Sequence, residues 1–197
     1  MQIFYLHGFA SGPGSKKAAF FRDRIPQLQV PDLAAGDFEH LTITGQLRVI
    51  EEVAGGEKVS LIGSSLGGYL AALYGARHPE VGKLVLLAPA FGFAARWAKN
   101  QRWTSDGFLE VYHYGEQRTR LLSHGLVDDA RGYEDFPGFS QPGLIFHGIH
   151  DDAVPAQLSQ DFAASHANVR LRLLDSDHEL LDVLDIIWQE AAAFLLG

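Results

Sequence analysis

Apolar positions along this chain fall into two alternating spacings. Short runs that are apolar almost throughout, Ile3 to Leu6, Lys58 to Ile62, Leu84 to Ala88 and Leu144 to Phe146, read as buried strands. Between them lie segments with helical spacing. Lys16 to Ile25 has Ser15 as a cap and Pro26 as its stop, and Ile43, Leu47, Ile50 and Ala54 recur before Gly55-Gly56. A third helix runs from Tyr69 to about Arg77 and is stopped by His78-Pro79. Leu28 to Leu33 carries Pro31, and Val169, Leu171 and Leu173 alternate with Arg170 and Arg172, so these two runs suit the edges of a sheet. A helix from about Glu179 to Leu195 puts Leu180, Leu184, Ile187 and Ala191 on one face.

This order predicts an α/β fold, a mostly parallel sheet with helices on both faces. With 197 residues the chain fits one domain, 1–197. One stretch, 91–141, breaks the alternation. It shows no clean strand and carries Phe91, Phe93, Trp97, Trp103, Phe108, Tyr112 and Tyr114. A structureless loop of that length does not suit a compact domain, so a small helical lid is expected there, with Phe91, Trp97 and Trp103 lining an apolar pocket. An ordinary crossover helix with its own packing is the alternative.

Composition narrows the partners. Hydrophobic residues make up 47% and charged ones 20%, the balance of a soluble globular protein. A net charge of −8 with sparse Lys and Arg speaks against nucleic acid or an anionic membrane, and leaves a small molecule as the expected partner. There is no cysteine, which excludes a disulfide framework, a thiolate metal site and a Cys nucleophile. Met1 to Leu6 lacks the basic flank and long apolar segment of a secretion signal, and no run approaches the ~18 apolar residues of a membrane span. A cytoplasmic protein is expected; oligomeric state is not encoded in any pattern here.

The chemistry begins at Gly63-Ser64-Ser65-Leu66-Gly67, a G-x-S-x-G pentapeptide between a strand and a helix. A serine on such a turn projects its hydroxyl above the sheet, but it is a weak nucleophile until a base takes its proton and a carboxylate orients that base. Asp151 lies just past the strand Leu144–Phe146, and His178 just past Val169–Leu173. Both therefore fall where parallel sheets place their sites, at the carboxyl ends of strands. Ser64, Asp152 and Asp177 are the neighbouring alternatives. His7 and His147, each before a glycine at a strand end, read as structural. The spacing His147-x-x-His150-Asp151 has a superficial metal-ligand look, and the loop Gly8 to Lys17 lacks the order of a phosphate loop, so neither a metal nor a nucleotide is expected.

His7-Gly8-Phe9 after the first strand, Gly-x-Ser-x-Gly at 63–67, His-Gly-x-x-Asp-x-x-Val-Pro at 147–155 and a late His178 together resemble an α/β-hydrolase over nearly the whole chain. Tyr5 to Ser11 and Gly63 to Tyr69 further resemble small bacterial YqiA-like serine esterases. The resemblance implies a trimmed sheet of about six strands, with Ser65 as nucleophile, His178 as general base and then acid, and Asp151 as the orienting carboxylate. It also implies an oxyanion hole from the backbone N–H groups of Phe9 and Leu66. The expected activity is cofactor-free, metal-free hydrolysis of a short- to medium-chain acyl ester. A thioesterase or peptidase with the same triad, or a catalytically silent binding protein of this fold, is the alternative.

Overall fold

A computed structural model describes the protein over residues 2–99 and 102–197, so Met1, expected in the first strand, and Asn100 and Gln101 of the 91–141 stretch lie outside the described residues. The first strand, β1 (Gln2–Leu6), feeds helix α1 (Lys16–Arg22), whose N-terminus is capped by the Ser15 side chain accepting from Ala18 N–H. A two-residue strand β2 (Leu28–Gln29) follows, then α2 (Ile43–Ala54), capped by Thr42 and closed by Gly55 in the left-handed conformation. Next come β3 (Val59–Ser64), α3 (Leu66–Arg77) and β4 (Leu84–Leu87). The 91–141 stretch then contributes α4 (Phe93–Trp97), β5 (Phe108–His113), β6 (Arg118–Ser123) and α5 (Gly125–Ala130). The chain returns through β7 (Gly143–Gly148), α6 (Ala156–Ser165), β8 (Val169–Leu174) and α7 (Leu184–Leu196).

Six strands form one sheet in the order β2-β1-β3-β4-β7-β8, and all of its pairs are parallel. Parallel strands need covered faces. Phe4, Leu6, Leu61, Leu84, Leu86 and Ile145 point to a core shared with α2, α3 and Phe162 of α6. Their sequence neighbours Ile3, Tyr5, Ile62, Val85, Leu87, Leu144 and Phe146 point to the opposite core, under α1 and α7. The continuous apolar runs are thus split residue by residue between two cores, which is why no alternation is visible in them. The edges are the expected ones: β2 pairs over only two residues, and β8 turns Arg170 and Arg172 to solvent.

Several boundaries differ from the sequence pattern. Helix α1 stops at Arg22, and Ile25 stays in the core through a tighter turn in which Arg24 N–H and Ile25 N–H both bond Phe21 O. The strand expected over Leu28–Leu33 shrinks to Leu28–Gln29, just before Pro31, which has no N–H for a ladder. The last helix begins at Leu184 instead of Glu179, because Leu180 has φ +56° and a left-handed residue cannot sit inside a right-handed helix; a 3₁₀ turn over Leu181–Val183 intervenes. Leu180, Leu184, Ile187 and Ala191 are nevertheless all buried together. Helix α6 has no counterpart in the pattern, since Ser159 and Phe162 are its only buried residues.

The largest departure is in 91–141. Where a helical lid was expected, β5 and β6 form an antiparallel hairpin, flanked by the short helices α4 and α5. Among the described residues no helix is long and apolar enough to cross a membrane.

Candidate active site

Ser65 occupies the single residue between β3 and α3, at φ +53° and ψ −115°. Such a backbone costs about 1–3 kcal/mol for a residue with a side chain, so the surroundings must impose it. Ser65 N–H donates to Leu87 O at 2.8 Å, while Ser65 O accepts from Tyr69 N–H at 3.1 Å and Ala90 N–H at 3.0 Å. The turn is tight enough that a Cβ on Gly67 would run into the carbonyl oxygens of Leu6, at the end of β1, and of His7 just after it, so only glycine fits there. Ser64, the alternative nucleophile, is buried on the other side, near Tyr5, whose pKa burial raises, an effect the Ser64 hydroxyl partly offsets.

His178 reaches Ser65 from the loop after β8. Its Nε2 lies 3.0 Å from Ser65 Oγ, and its Nδ1 lies 2.6 Å from Asp151 Oδ2. An ionised carboxylate only accepts, so Nδ1 carries the proton and Nε2 is left to accept from the serine hydroxyl. The loop is shaped by Asp177, whose Oδ1 accepts from Glu179 N–H at 2.8 Å and Leu180 N–H at 3.2 Å. It is anchored by Lys17 of α1, which donates to Glu179 O at 2.8 Å. Burial lowers the Lys17 pKa, against the opposing pull of Glu179, Asp177 and Asp151.

Asp151 sits in the turn after β7 with its side chain fully buried. Its Oδ1 accepts from Ala153 N–H at 2.9 Å and Val154 N–H at 2.7 Å. Its Oδ2 accepts from His178 and has His147 Nε2 at 3.0 Å. That nitrogen is also 2.9 Å from Val154 O, a pure acceptor, so it carries the proton; His147 Nδ1 then accepts from Ser159 Oγ on α6 at 2.8 Å. Burial alone would raise the Asp151 carboxyl, but the bonds from His147, His178 and Val154 N–H outweigh it and hold the group well below the usual carboxylate range. Asp152 is exposed and outside this network, and Asp177 serves the loop. The contact of His147 with Asp151 was not legible as such, although the four-residue spacing around a strand-end turn carries it. His150 turns away to Asp175, 2.8 Å distant.

The two expected oxyanion donors flank the serine. Leu66 opens α3, so its N–H has no carbonyl four residues back within the helix and lies at the positive end of the helix dipole. Phe9 follows the turn out of β1, which runs beside the elbow: a Cβ on Gly8 would stand 3.4 Å from Ser64 O and 3.5 Å from Ser65 Cβ. His7 braces this turn, its Nδ1–H donating to Gly8 O at 3.0 Å and its Nε2 accepting from Leu33 N–H at 3.2 Å. Both bonds require a neutral ring, and burial lowers its pKa in the same sense. Because the carbonyl and N–H of one trans peptide point opposite ways, a Gly8 carbonyl held by His7 turns the Phe9 N–H to the other side.

Of the three residues expected to line a pocket, Phe91 does not. The turn after β4 drops its ring into the core, stacked on Phe162 at 4.4 Å, and it is fully buried. Trp97 instead packs edge-on against Phe9 at 4.7 Å, with Trp103 behind it at 6.4 Å. Arg96, one residue before Trp97, donates to Ala153 O of the Asp151 turn and so ties α4 to it. A cleft of about 220 Å³ lies elsewhere, between α2 and α3, and none of the three triad candidates lines it.

Residues 2–195 match the Uncharacterised protein family (UPF0227). No curated protein matches the sequence. Among solved structures, Est1E from Butyrivibrio proteoclasticus with ferulic acid bound is similar at a TM-score of 0.81 and 19% identity, over 100% of this chain and 88% of that one. The mouse alpha/beta hydrolase domain-containing protein 10 is similar at a TM-score of 0.81 and 18% identity, over 99% and 88%. A monoacylglycerol lipase from Paleococcus ferrophilus is similar at a TM-score of 0.72 and 16% identity, over 98% and 93%. At these identities the likeness is one of fold, and the fold is that of an α/β-hydrolase.

Proposed function

This chain belongs to the family UPF0227, and from that premise we propose that it is a serine carboxylesterase, a single-domain hydrolase of short- to medium-chain acyl esters. One observation carries the reading: Ser65 Oγ, His178 and Asp151 stand in a continuous hydrogen-bonded line of 3.0 and 2.6 Å, with the serine on a strained elbow. Strain at a residue whose side chain meets a neutral imidazole is what a nucleophile needs and a structural serine does not.

In this mechanism His178 Nε2 takes the proton of Ser65 as Oγ attacks the ester carbonyl carbon. The carbonyl π electrons move to oxygen, and the N–H groups of Leu66 and Phe9 hold that oxyanion. Collapse of the intermediate breaks the bond to the alcohol, which leaves with the proton from His178. Water then gives a proton to His178 and attacks the acyl-enzyme, and the second collapse releases the acid and returns the proton to Ser65. Asp151 keeps the imidazole in the required tautomer and steadies it when charged. Its four hydrogen bonds keep it ionised while it does so.

A fluorophosphonate probe tests the reading. It should add to Ser65 of the folded protein and leave Ser65→Ala unlabelled, with p-nitrophenyl ester hydrolysis lost in the same variant. A folded wild-type protein that takes no label would sink the proposal.

A further inference from the structure

We propose that the β5–β6 hairpin is a clamp on the oxyanion loop, and that it acts through the backbone N–H of Tyr114. The inference rests on the reading of Phe9 as an oxyanion donor. Ala10, the next residue, has φ +52°, a left-handed conformation unfavourable for any residue with a Cβ. A residue held there persists only where its surroundings over-determine it. Ala10 O accepts a hydrogen bond of 2.7 Å from Tyr114 N–H, at the tip of the hairpin.

The same tip touches the loop a second time. A Cβ on Gly115 would stand 3.3 Å from Ser11 C and 3.4 Å from Gly12 N, and 3.2 Å from Cε1 of the neighbouring His113, so the tip's backbone lies close against the backbone of the loop. Behind the tip, the His113 ring meets Phe38 edge-on at 4.6 Å, and Phe38 packs on Phe9 at 5.6 Å. Tyr114 itself points outward, 72% exposed, so its contribution to the contact is main-chain. The hairpin therefore fixes the carbonyl of Ala10, the residue after Phe9, while His7 fixes the Gly8 carbonyl in the same peptide as the Phe9 N–H. The position of the Phe9 N–H is set from both sides, and one of the two holds comes from the 91–141 segment.

Proline at 114 isolates the bond. It removes the N–H, and this position lies just beyond β5, where the ladder does not use that donor; His113 before it is already extended. Tyr114→Ala keeps the N–H and serves as the reference. Tyr114→Pro should turn over an ester about 10- to 100-fold more slowly than Tyr114→Ala with KM within about twofold, since a displaced oxyanion donor acts on the transition state. A trifluoromethyl ketone that forms a tetrahedral adduct should lose affinity in parallel, while the product carboxylate should not. Gly115→Val, which forces the two backbones apart and leaves the N–H in place, should show the same kcat-selective loss and decides the matter if Tyr114→Pro does not fold. Equal kcat in the proline and alanine variants, or equal losses in adduct and product affinity, overturns the clamp. An inactive, unlabelled wild type overturns instead the hydrolase reading on which it stands.

Discussion

His147 and His178 place their ring nitrogens on one oxygen, Oδ2 of Asp151, at 3.0 and 2.6 Å. One histidine faces the serine and the other is buried beneath, bonded to Val154 and Ser159. Two donors on a single oxygen compete for the same charge, so the lower ring sets how strongly the carboxylate can hold a protonated upper one.

His147→Phe should therefore move the acidic limb of kcat/KM to higher pH by about 1 unit, equivalent to about 1.4 kcal/mol and near the lower end of what a hydrogen bond to a charged group contributes. The cations near Asp151, Lys17 from α1 and Arg96 from α4, remain in place in this variant. His147→Gln, which can keep a donor near the Nε2 position, should leave the limb close to the wild-type one. Rate profiles from pH 5 to 9 read the difference; a loss of kcat with no shift in the limb would make His147 a packing residue only.

Asp151 also links stability to acid. Its carboxyl is held below the ordinary value, so its contribution is complete above the unfolded pKa of about 3.9 and fades as pH falls through its lower folded value. Asp151→Asn should then show a flatter fall in stability below about pH 4 than the wild type. Urea midpoints measured from pH 7 down to pH 3 test this, and parallel curves would contradict it.

Phe91→Ala should cost about 3–5 kcal/mol of stability by opening a cavity against Phe162, with KM for a small ester unchanged because the ring does not face substrate. Denaturant melts beside ester kinetics separate the two effects. A raised KM in a protein of near wild-type stability would return Phe91 to the pocket.

The sheet was readable because β1, β3, β4 and β7 are short, apolar almost throughout and separated by helical spacings. Ser65, Asp151 and His178 could be brought near one another because each follows a strand, and the carboxyl ends of parallel strands share one edge. Strand β6, Arg-Thr-Arg-Leu-Leu-Ser, resisted the same reading: it is half exposed, and its hairpin partner Phe-Leu-Glu-Val-Tyr-His looked like scattered aromatics until paired. Aromatic content told correctly that 91–141 packs on something, but not on what. Phe91 found the core, Trp97 found Phe9, and the tip of the hairpin found Ala10 by its backbone, which no side-chain pattern encodes.

The bond from Lys17 to the carbonyl of Glu179 spans 162 positions of sequence and ends one residue beyond His178. The histidine is thus moored to the first helix as well as to the strand ends that deliver it. On the reading of His178 as the base, a loop that has let go of α1 would misplace that base while the sheet and the serine elbow stay in place.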